Sequence, residues 1–282
     1  MMAEVNPQTI FESIYQRATQ IVKKEPLLSG YLDYAILDCD SLEMAYARLL
    51  SAHLETATVK RDALYDIFYE ALCADRNIME QASYDLRAVC QRDPAAEVDY
   101  TIPFLYLKGS QSLEAYRIAH WLHENGRGEF AAFLQSVISN VYGVDIHPQA
   151  QIGKGIMIDH ATGVVIGQTA VVADNVSIMQ DVTLGGTGKE EGDRHPKISE
   201  GVLIGAGATV LGNIKVGTCA KIGAGSVVLE DVEAHTTVVG VPARVVEKHL
   251  EGVPSEDMRQ QIAPEGMVYV YTCPITFVKK DK

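Results

Sequence analysis

The feature that most constrains this fold is a six-residue periodicity of aliphatic side chains in the second half of the chain. Thirteen aliphatic residues fall into three runs, and successive members of each run are six residues apart. A short, fixed period of this kind is typical of solenoids, in which each repeat stacks on the next. The runs are Ile146, Ile152, Ile158; Ile166, Val172, Ile178, Leu184; and Ile198, Ile204, Val210, Val216, Ile222, Val228.

The same repeat predicts a parallel β-helix with three short strands per coil. A small or apolar residue stands two positions before most of the aliphatic residues, which is the alternation of a strand with one buried face. Stacked coils then form a triangular prism with aliphatic ladders inside it. Glycines follow many of the strands, and we expect them at the corners, where the backbone conformation is costly for other residues. These glycines are Gly153, Gly167, Gly205, Gly217 and Gly223.

The first half of the chain has a different period and is predicted to be helical. Its apolar residues recur at spacings of three and four, as in Ile10, Ile14 and Ile21. We expect helices to begin near Asn6-Pro7, Asp40 and Ser110. The predicted organisation is a helical domain at 1–140, a β-helix domain at 141–246 and a C-terminal tail at 247–282.

Composition excludes several classes of function. The formal net charge of −13 disfavours nucleic acid and anionic membranes as partners, since phosphate groups would be repelled. No apolar run approaches the roughly 20 residues that span a bilayer, and the N-terminal residues do not form the apolar core of a signal peptide. We therefore expect a cytoplasmic protein whose five scattered cysteines, Cys273 among them, are free thiols.

The repeat is broken in two places, and each break contains a histidine. The step from Ile158 to Ile166 is eight residues, and the two extra residues distort a corner that carries His160. The step from Leu184 to Ile198 is fourteen residues, so the intervening segment, which contains His195, must leave the prism as a loop. Broken repeats lose stacking, so polar, titratable residues at a break indicate function. Asp159 adjoins His160, and Asp145 precedes it by slightly less than one coil.

At this point the motifs resemble a known family, the serine O-acetyltransferases of the hexapeptide acyltransferase superfamily. The residues that carry the resemblance lie between Asp93 and Val246. They are Asp93-Pro94, YLKGSQSLEAYRIAHWL from Tyr106, VDIHPQAQIGKGIMIDHATGVVIG from Val144, SIMQDVTLGGTGKEEGDRHPKI from Ser177 and GVPARVV from Gly240. The predicted fold class is therefore α+β, an N-terminal α-helical domain followed by a left-handed parallel β-helix of hexapeptide repeats.

The resemblance implies an enzyme that transfers an acetyl group from acetyl-CoA to the hydroxyl of L-serine, the first step of cysteine biosynthesis. It implies that His160 is the general base, paired with Asp145, and that transfer is direct, without an acyl-enzyme. A positioned imidazole typically contributes about 10² to 10⁴ in rate by accepting a proton in the transition state.

The resemblance also implies residues that recognise the substrates. Asp93 and Asp159 would bind the ammonium of serine, Arg194 would bind its carboxylate through two contacts, and His195 would face its hydroxyl. Backbone N–H groups of Gly185 and Gly186 would stabilise the oxyanion, at a position close to CoA. Acetyl-CoA is the co-substrate, and no metal ion is expected. The remaining matched positions for CoA are Ala206, Ala224 and Arg244, with Arg244 near a phosphate.

Assembly and regulation are further expectations drawn from the family. Relatives form trimers with active sites between neighbouring chains, and helical domains pair trimers into hexamers. L-Cysteine, a feedback inhibitor of relatives, would occupy the serine site. Many relatives end in an isoleucine that binds the sulfhydrylase partner, whereas this chain ends in Lys279-Lys280-Asp281-Lys282. That ending argues against a cysteine synthase complex.

Three alternative functions remain at the level of sequence. An acyltransferase for sugars or another amino acid would share the prism, and a non-catalytic scaffold would retain binding after loss of His160. A γ-type carbonic anhydrase would bind zinc between subunits through His147, His160 and His195. His120 and His123, three residues apart on a predicted helix, are interpreted as structural.

Overall fold

The described residues of the helical half contain eight α-helices. A computed structural model describes residues 5–96, 99–188, 191–248 and 251–261. Within them, a short 3₁₀ turn at Pro26–Leu28 and a π-helical segment at Asp33–Leu37 connect neighbouring helices. The α-helices are α1 (Pro7–Lys24), α2 (Ser29–Leu32), α3 (Leu42–Leu54), α4 (Arg61–Ala74), α5 (Arg76–Arg92), α6 (Thr101–Leu105), α7 (Lys108–Glu124) and α8 (Gly128–Tyr142).

Side-chain caps explain where two of these helices begin. Asn6 Oδ1 accepts a hydrogen bond of 2.9 Å from the backbone N–H of Gln8, which confirms the predicted start of α1. The prediction for α3 was wrong by one residue, because Ser41 rather than Asp40 is the cap and accepts from the N–H of Met44. The prediction for α7 was also wrong, since that helix begins at Lys108, before Ser110.

The second half is a β-helix of three sheets, whose strands pair mainly in parallel. The predicted fold, a helical region followed by a prism of hexapeptide coils, is confirmed. Three strands make one coil, and each strand pairs with the strand of the same sheet in the next coil. Sheet A contains β1 (Val144–Ile146), β4 (Val164–Ile166), β7 (Thr183–Gly185), β10 (Thr209–Leu211) and β13 (Val227–Val228). Sheet B contains β2 (Gln151–Ile152), β5 (Val171–Val172), β8 (Lys197–Ile198) and β11 (Lys215–Val216). Sheet C contains β3 (Met157–Ile158), β6 (Ser177–Ile178), β9 (Leu203–Ile204), β12 (Lys221–Ile222), β14 (Thr236–Gly240) and the antiparallel β15 (Ala243–Lys248).

The repeated aliphatic residues form one ladder inside each sheet. All thirteen are buried, and they pair in register from coil to coil. In sheet C, for example, Ile158 pairs with Ile178, Ile178 with Ile204, and Ile204 with Ile222. Burial of such a side chain contributes about 1.5–3 kcal/mol relative to exposure, so the ladders supply a large share of the stability of the prism.

The glycines that follow the strands are required for a different reason from the one predicted. Gly153, Gly167, Gly205, Gly217 and Gly223 do not adopt positive φ. A β-carbon at Gly205 would instead lie 2.6 Å from the backbone nitrogen of Ala224, one coil further on. At Gly153, Gly205 and Gly217 the next coil's backbone therefore approaches too closely for any side chain. The left-handed conformation falls two residues later, as at Gly207 and Gly225.

Buried charged side chains join the helical half to the first coils. Arg117 of α7 donates to Asp85 of α5 at 2.5 Å and to the carbonyl of Gly153 at 2.8 Å. Arg92, the last residue of α5, donates to the carbonyl of Gly155 at 3.0 Å and to Ser177 Oγ at 3.1 Å. These bonds fix the C-terminal end of α5 against the prism.

Part of the predicted tail packs back onto the prism. The short helix α9 (Pro254–Asp257) contains the buried Ser255, whose carbonyl accepts from Ser177 Oγ at 2.8 Å. The segment 251–261 therefore lies along the outer face of sheet C. Cys39, Cys73, Cys90 and Cys219 are free thiols, whereas Cys273 lies outside the described residues, as does the end of the tail. Among the described helices, none has both the length and the apolar character needed to cross a membrane.

Candidate active site

The first break in the repeat is a tight corner with unusual backbone geometry. His160 and Ala161 have φ values of 54° and 59°, a region that residues with a β-carbon rarely adopt. The N–H of Thr162 donates to the carbonyl of His160 at 2.7 Å, closing the turn. Strain of this kind tends to occur at functional sites. The corner holds the His160 imidazole outward, with its side chain 74% exposed and Nε2 3.9 Å from Asp159 Oδ1.

His160 shares a cavity with both aspartates that were expected to bind the ammonium. The cavity has a volume of about 450 Å³ and is lined by Asp93, Asp159 and His160, together with Tyr106 and Lys108. Asp93 is the C-cap residue of α5. The neighbouring Arg92 is buried and bonded to the prism, and this bond helps to position Asp93.

The ionisation of Asp159 depends on its surroundings in this cavity. Burial raises the pKa of Asp159, the proximity of His160 opposes this rise, and the negative charge of Asp93 adds to it. The cavity therefore offers two acidic groups beside an imidazole, a suitable environment for an ammonium group.

Asp145 is not paired with His160 within the single chain. Asp145 lies on β1, and its Oδ1 accepts from Gln135 Nε2 of α8 at 2.6 Å. The carboxylate that approaches the His160 ring in this chain is that of Asp159. The reason is geometric, since Asp145 is the central residue of β1, the edge strand of sheet A, whereas His160 stands at the corner between sheets C and A.

The second break places Arg194 and His195 at another corner, between sheets A and B. We call this the loop corner; it comprises residues 147–150, 167–170 and 185–197. Arg194 donates from its guanidinium to Gln168 Oε1 at 2.8 Å and to the carbonyl of Gly192 at 3.0 Å. The ring of His195 is buried, with Nδ1 2.9 Å from Thr169 Oγ1. Gly185 and Gly186 begin the same loop, beside Arg194.

Several cations surround the imidazoles at the loop corner. Burial lowers the pKa of His195, and the positive charges of Arg194, Lys197 and His147 lower it further, while Asp193 opposes them. Burial also lowers the pKa of His147, with a contribution from His123. In both rings these effects favour the neutral imidazole over the imidazolium.

The predicted site residues thus fall into two groups that do not meet in one chain. Asp93, Asp159 and His160 lie at the corner between sheets C and A, which we call the base corner. Arg194 and His195 lie at the loop corner. The strand Val164–Ile166 separates the two corners, and a strand of three residues spans about 10 Å.

The alanines expected to contact CoA continue the base corner along the prism. Ile158, Ile178, Ile204 and Ile222 are in register. At the corner that follows, the N–H of Asp181 donates to the carbonyl of Thr162, that of Gly207 to Gln180 and that of Gly225 to Ala206. Thr162, Gln180, Ala206 and Ala224 therefore stack one residue per coil, and His160 stands beside them in the two-residue insertion. Arg244 lies beyond them on β15, exposed at the end of sheet C.

Comparison with known proteins identifies the family. The family model for the N-terminal domain of serine acetyltransferase matches residues 10–115, and the bacterial transferase hexapeptide model matches residues 195–230. The serine acetyltransferase of Salmonella typhimurium is 50% identical over 253 residues, which cover 90% of this chain and 92% of that protein.

The chain belongs to the serine acetyltransferase family.

Solved structures of serine acetyltransferases with bound ligands have the same fold. One in complex with cysteine has a TM-score of 0.89 and 46% identity, covering 90% of this chain and 99% of that one. The soybean enzyme complexed with serine has a TM-score of 0.83 and 51% identity, covering 85% of this chain and 98% of that one. The Brucella abortus enzyme in complex with coenzyme A has a TM-score of 0.83 and 48% identity, covering 86% of this chain and 96% of that one. The resemblance found in the sequence is confirmed, and with it the acetyl-CoA-dependent transfer to serine.

Three site residues of this serine acetyltransferase family member escaped sequence reasoning. Lys108 Nζ donates to Thr162 Oγ1 across the base corner, and Thr169 bonds to His195. Gly167 has no room for a β-carbon because the His195 ring occupies that space. Lys108 lies within a segment that carries the resemblance, but only the folded chain shows what any of the three touches.

The structure also bears on the metal-binding alternative within the serine acetyltransferase fold. Over the described ranges, no group of three or more histidine, cysteine, aspartate or glutamate side chains is arranged to hold a metal ion. His120 Nδ1 donates to the carbonyl of Pro148 at 2.6 Å, a contact that agrees with a structural role.

Proposed function

We propose that this chain catalyses direct acetyl transfer from acetyl-CoA to L-serine with His160 as the general base. The observation that carries the proposal is the shared cavity of Asp93, Asp159 and His160. It brings two groups that can bind an ammonium next to an exposed imidazole that can accept a proton. An alcohol is a weak nucleophile at neutral pH, so a positioned base is needed.

In the proposed reaction, His160 removes the hydroxyl proton as the serine oxygen attacks the acetyl carbonyl carbon. A carbon–oxygen bond forms, and the carbonyl oxygen becomes an oxyanion. The carbon–sulfur bond then breaks, and the CoA thiolate receives the proton from His160. The products are O-acetyl-L-serine and CoA, and the backbone N–H groups at Gly185 and Gly186 are proposed to stabilise the oxyanion.

Serine is proposed to bind with its ammonium between Asp93 and Asp159 and its carboxylate on the guanidinium of Arg194. Because Arg194 and His195 lie at the loop corner, they would come from a neighbouring chain. This separation supports the expectation of a homotrimer in which each site lies between two chains, since a closed ring places unlike surfaces together. Pairing of trimers into a hexamer stays a prediction, as does an approach of Asp145 to His160.

Acetyl-CoA is proposed to lie along the base corner. The stacked Ala206 and Ala224 leave room for a narrow chain, and the exposed Arg244 supplies a positive charge for a phosphate. The relative in complex with coenzyme A supports this ligand.

The enzyme is proposed to be cytoplasmic. L-Cysteine is proposed to compete with L-serine for the same cavity. A relative in complex with cysteine supports it. Cysteine is the thiol analogue of serine and carries the same ammonium and carboxylate groups. Competitive inhibition is therefore expected at roughly millimolar concentrations of cysteine. The C-terminal residues that bear on a cysteine synthase complex lie outside the described residues.

The decisive experiment measures thiol release from acetyl-CoA with L-serine for wild type, His160→Ala and His195→Ala. We expect His160→Ala to lower kcat by about 10²- to 10⁴-fold while the KM for acetyl-CoA changes little. His53→Ala, which alters a histidine on α3 in the helical half, is the control. Wild-type turnover by His160→Ala would overturn the mechanism.

A further inference from the structure

Among the residues that the structure describes, a single threonine, Thr169, makes the hydrogen bonds to the ring of His195. The backbone N–H of Thr169 points at His195 Nδ1 at 3.2 Å, and its hydroxyl oxygen lies 2.9 Å from the same nitrogen. A backbone N–H can only donate. Nδ1 must therefore accept, which means that it carries no proton.

The hydroxyl of Thr169 leads to the same conclusion. Its oxygen accepts from the backbone N–H of Arg194 at 3.0 Å and from that of His195 at 3.2 Å. A hydroxyl has two acceptor sites and one donor. Because both acceptor sites are occupied, the oxygen cannot also accept from His195 Nδ1, and its proton is directed either to Nδ1 or to the carboxylate of Asp193.

The other ring nitrogen is consequently the one that bears hydrogen. A neutral imidazole carries one proton, and with Nδ1 accepting, that proton is on Nε2. The positive charges of Arg194 and Lys197 oppose a second proton, whereas the negative charge of Asp193 favours it. Nε2 makes no hydrogen bond within the described part of the chain, so its N–H is available to a ligand.

We propose that Thr169 is a positioning residue that holds His195 as the Nε2–H tautomer, so that His195 donates a hydrogen bond to a substrate oxygen and does not act as a second base. The inference rests on the proposed function, because it matters to the reaction only if His195 faces bound substrate. On this proposal the two imidazoles have different roles. His160 accepts the proton, and His195 fixes or stabilises an oxygen.

The tautomer is measured directly by NMR of the full-length enzyme labelled with ¹⁵N-histidine. The signal of His195 is assigned by its loss in His195→Gln. At about pH 7.5 we expect two-bond couplings that identify a protonated Nε2 and an unprotonated Nδ1. A protonated Nδ1, or a doubly protonated ring, would overturn the proposal.

Kinetics provide the second arm. Thr169→Ser keeps the hydroxyl and should retain kcat within about 3-fold, whereas Thr169→Val should lower kcat by about 10- to 100-fold and weaken the Nε2–H signature. Thr218→Val, an exposed threonine at the corner between sheets B and C, is the matched control. Equal kcat for Thr169→Val and wild type would contradict the proposal.

A third variant separates a donor from a base. The amide of His195→Gln can donate a hydrogen bond but cannot accept a proton in catalysis, so it should retain more activity than His195→Ala. If both are equally inactive, His195 acts as more than a donor and the proposal is wrong. If wild type itself releases no thiol with L-serine, the proposed function fails, whereas the NMR result is unaffected.

Discussion

The imidazole of His195 lies directly against the α-carbon of Gly167, and a β-carbon at residue 167 would overlap the Cδ2 and Nε2 atoms of the ring. Gly167 does not have positive φ, so the glycine is required by contact rather than by backbone conformation. The smallest substitution at this position would push the ring away and cover Nε2, the nitrogen that we propose donates to the substrate.

Gly167→Ala is therefore expected to impair catalysis more than folding. Displacement of a reacting or orienting group by about 1 Å can cost about 100-fold, so we expect kcat to fall by 10- to 100-fold. Steady-state kinetics and thermal unfolding are measured together. Gly30→Ala is the control, because nothing lies within 4 Å of a β-carbon there. An unchanged kcat in Gly167→Ala would show that the ring moves without consequence.

Asp93→Asn should change both the affinity for serine and its pH dependence. Loss of a charge-assisted contact is expected to raise the KM for L-serine by about 10-fold or more, with little effect on acetyl-CoA. Burial and the charge of Asp93 both raise the pKa of Asp159, so Asp159 protonates earlier than an ordinary aspartate as the pH falls. Removing Asp93 lowers the pKa of Asp159, and the acid limb of kcat/KM for serine should move to lower pH. The exposed Asp62→Asn is the control.

Mixed oligomers test whether each site is shared between chains. Neither His160→Ala nor His195→Ala should be active alone. When the two are co-expressed, a site that combines His160 of one chain with His195 of its neighbour regains both groups. Random assembly of equal amounts gives intact sites with a frequency of about one quarter, so activity should approach a quarter of that of wild type. No recovery, despite formation of mixed oligomers, would indicate that each chain uses its own two histidines.

Glu114→Gln should stabilise the protein at alkaline pH. Glu114 is buried with Oε1 unpaired, and its Oε2 lies 3.8 Å from Arg117, which is already bonded to Asp85 at 2.5 Å. Burial raises the pKa of Glu114 to about 8, so the folded state holds this acid protonated. An acid whose pKa is raised on folding stabilises the protein fully below its unfolded pKa, and this stabilisation is lost as the pH rises through about 8.

Glutamine mimics the protonated acid, so the Tm of Glu114→Gln should match that of wild type near pH 5 and exceed it above pH 8. The gain is expected to be on the order of 1–3 kcal/mol, with about 2–4 °C of Tm per kcal/mol. Glu70→Gln, an exposed glutamate on α4, is the control. An equal difference at both pH values would mean that packing, and not ionisation, causes it.

The sequence predicted the architecture well because the buried ladders depend on a local rule, one aliphatic residue every six. The eight-residue step at His160 likewise indicated a distorted corner, and His160 and Ala161 have the strained φ values that such a corner needs. The reason for the corner glycines was wrong, since crowding between coils, as at Gly205 and Ala224, depends on residues one coil apart. The contacts of Thr169, Gln135 and Lys108 form only when separate segments of the chain meet, so no residue spacing in the sequence predicts them.

The register of the base corner sets a scale for the substrate. Each coil advances the prism by about 4.8 Å, and His160 is fixed in the first coil. If acetyl-CoA lies along the base corner as proposed, the number of coils between His160 and Ala224 sets the length of carrier that fits, because the reacting end must reach His160 while the other end stays bound. Inserting or deleting one coil would leave every side chain of the chemistry in place and still change the length of carrier that fits.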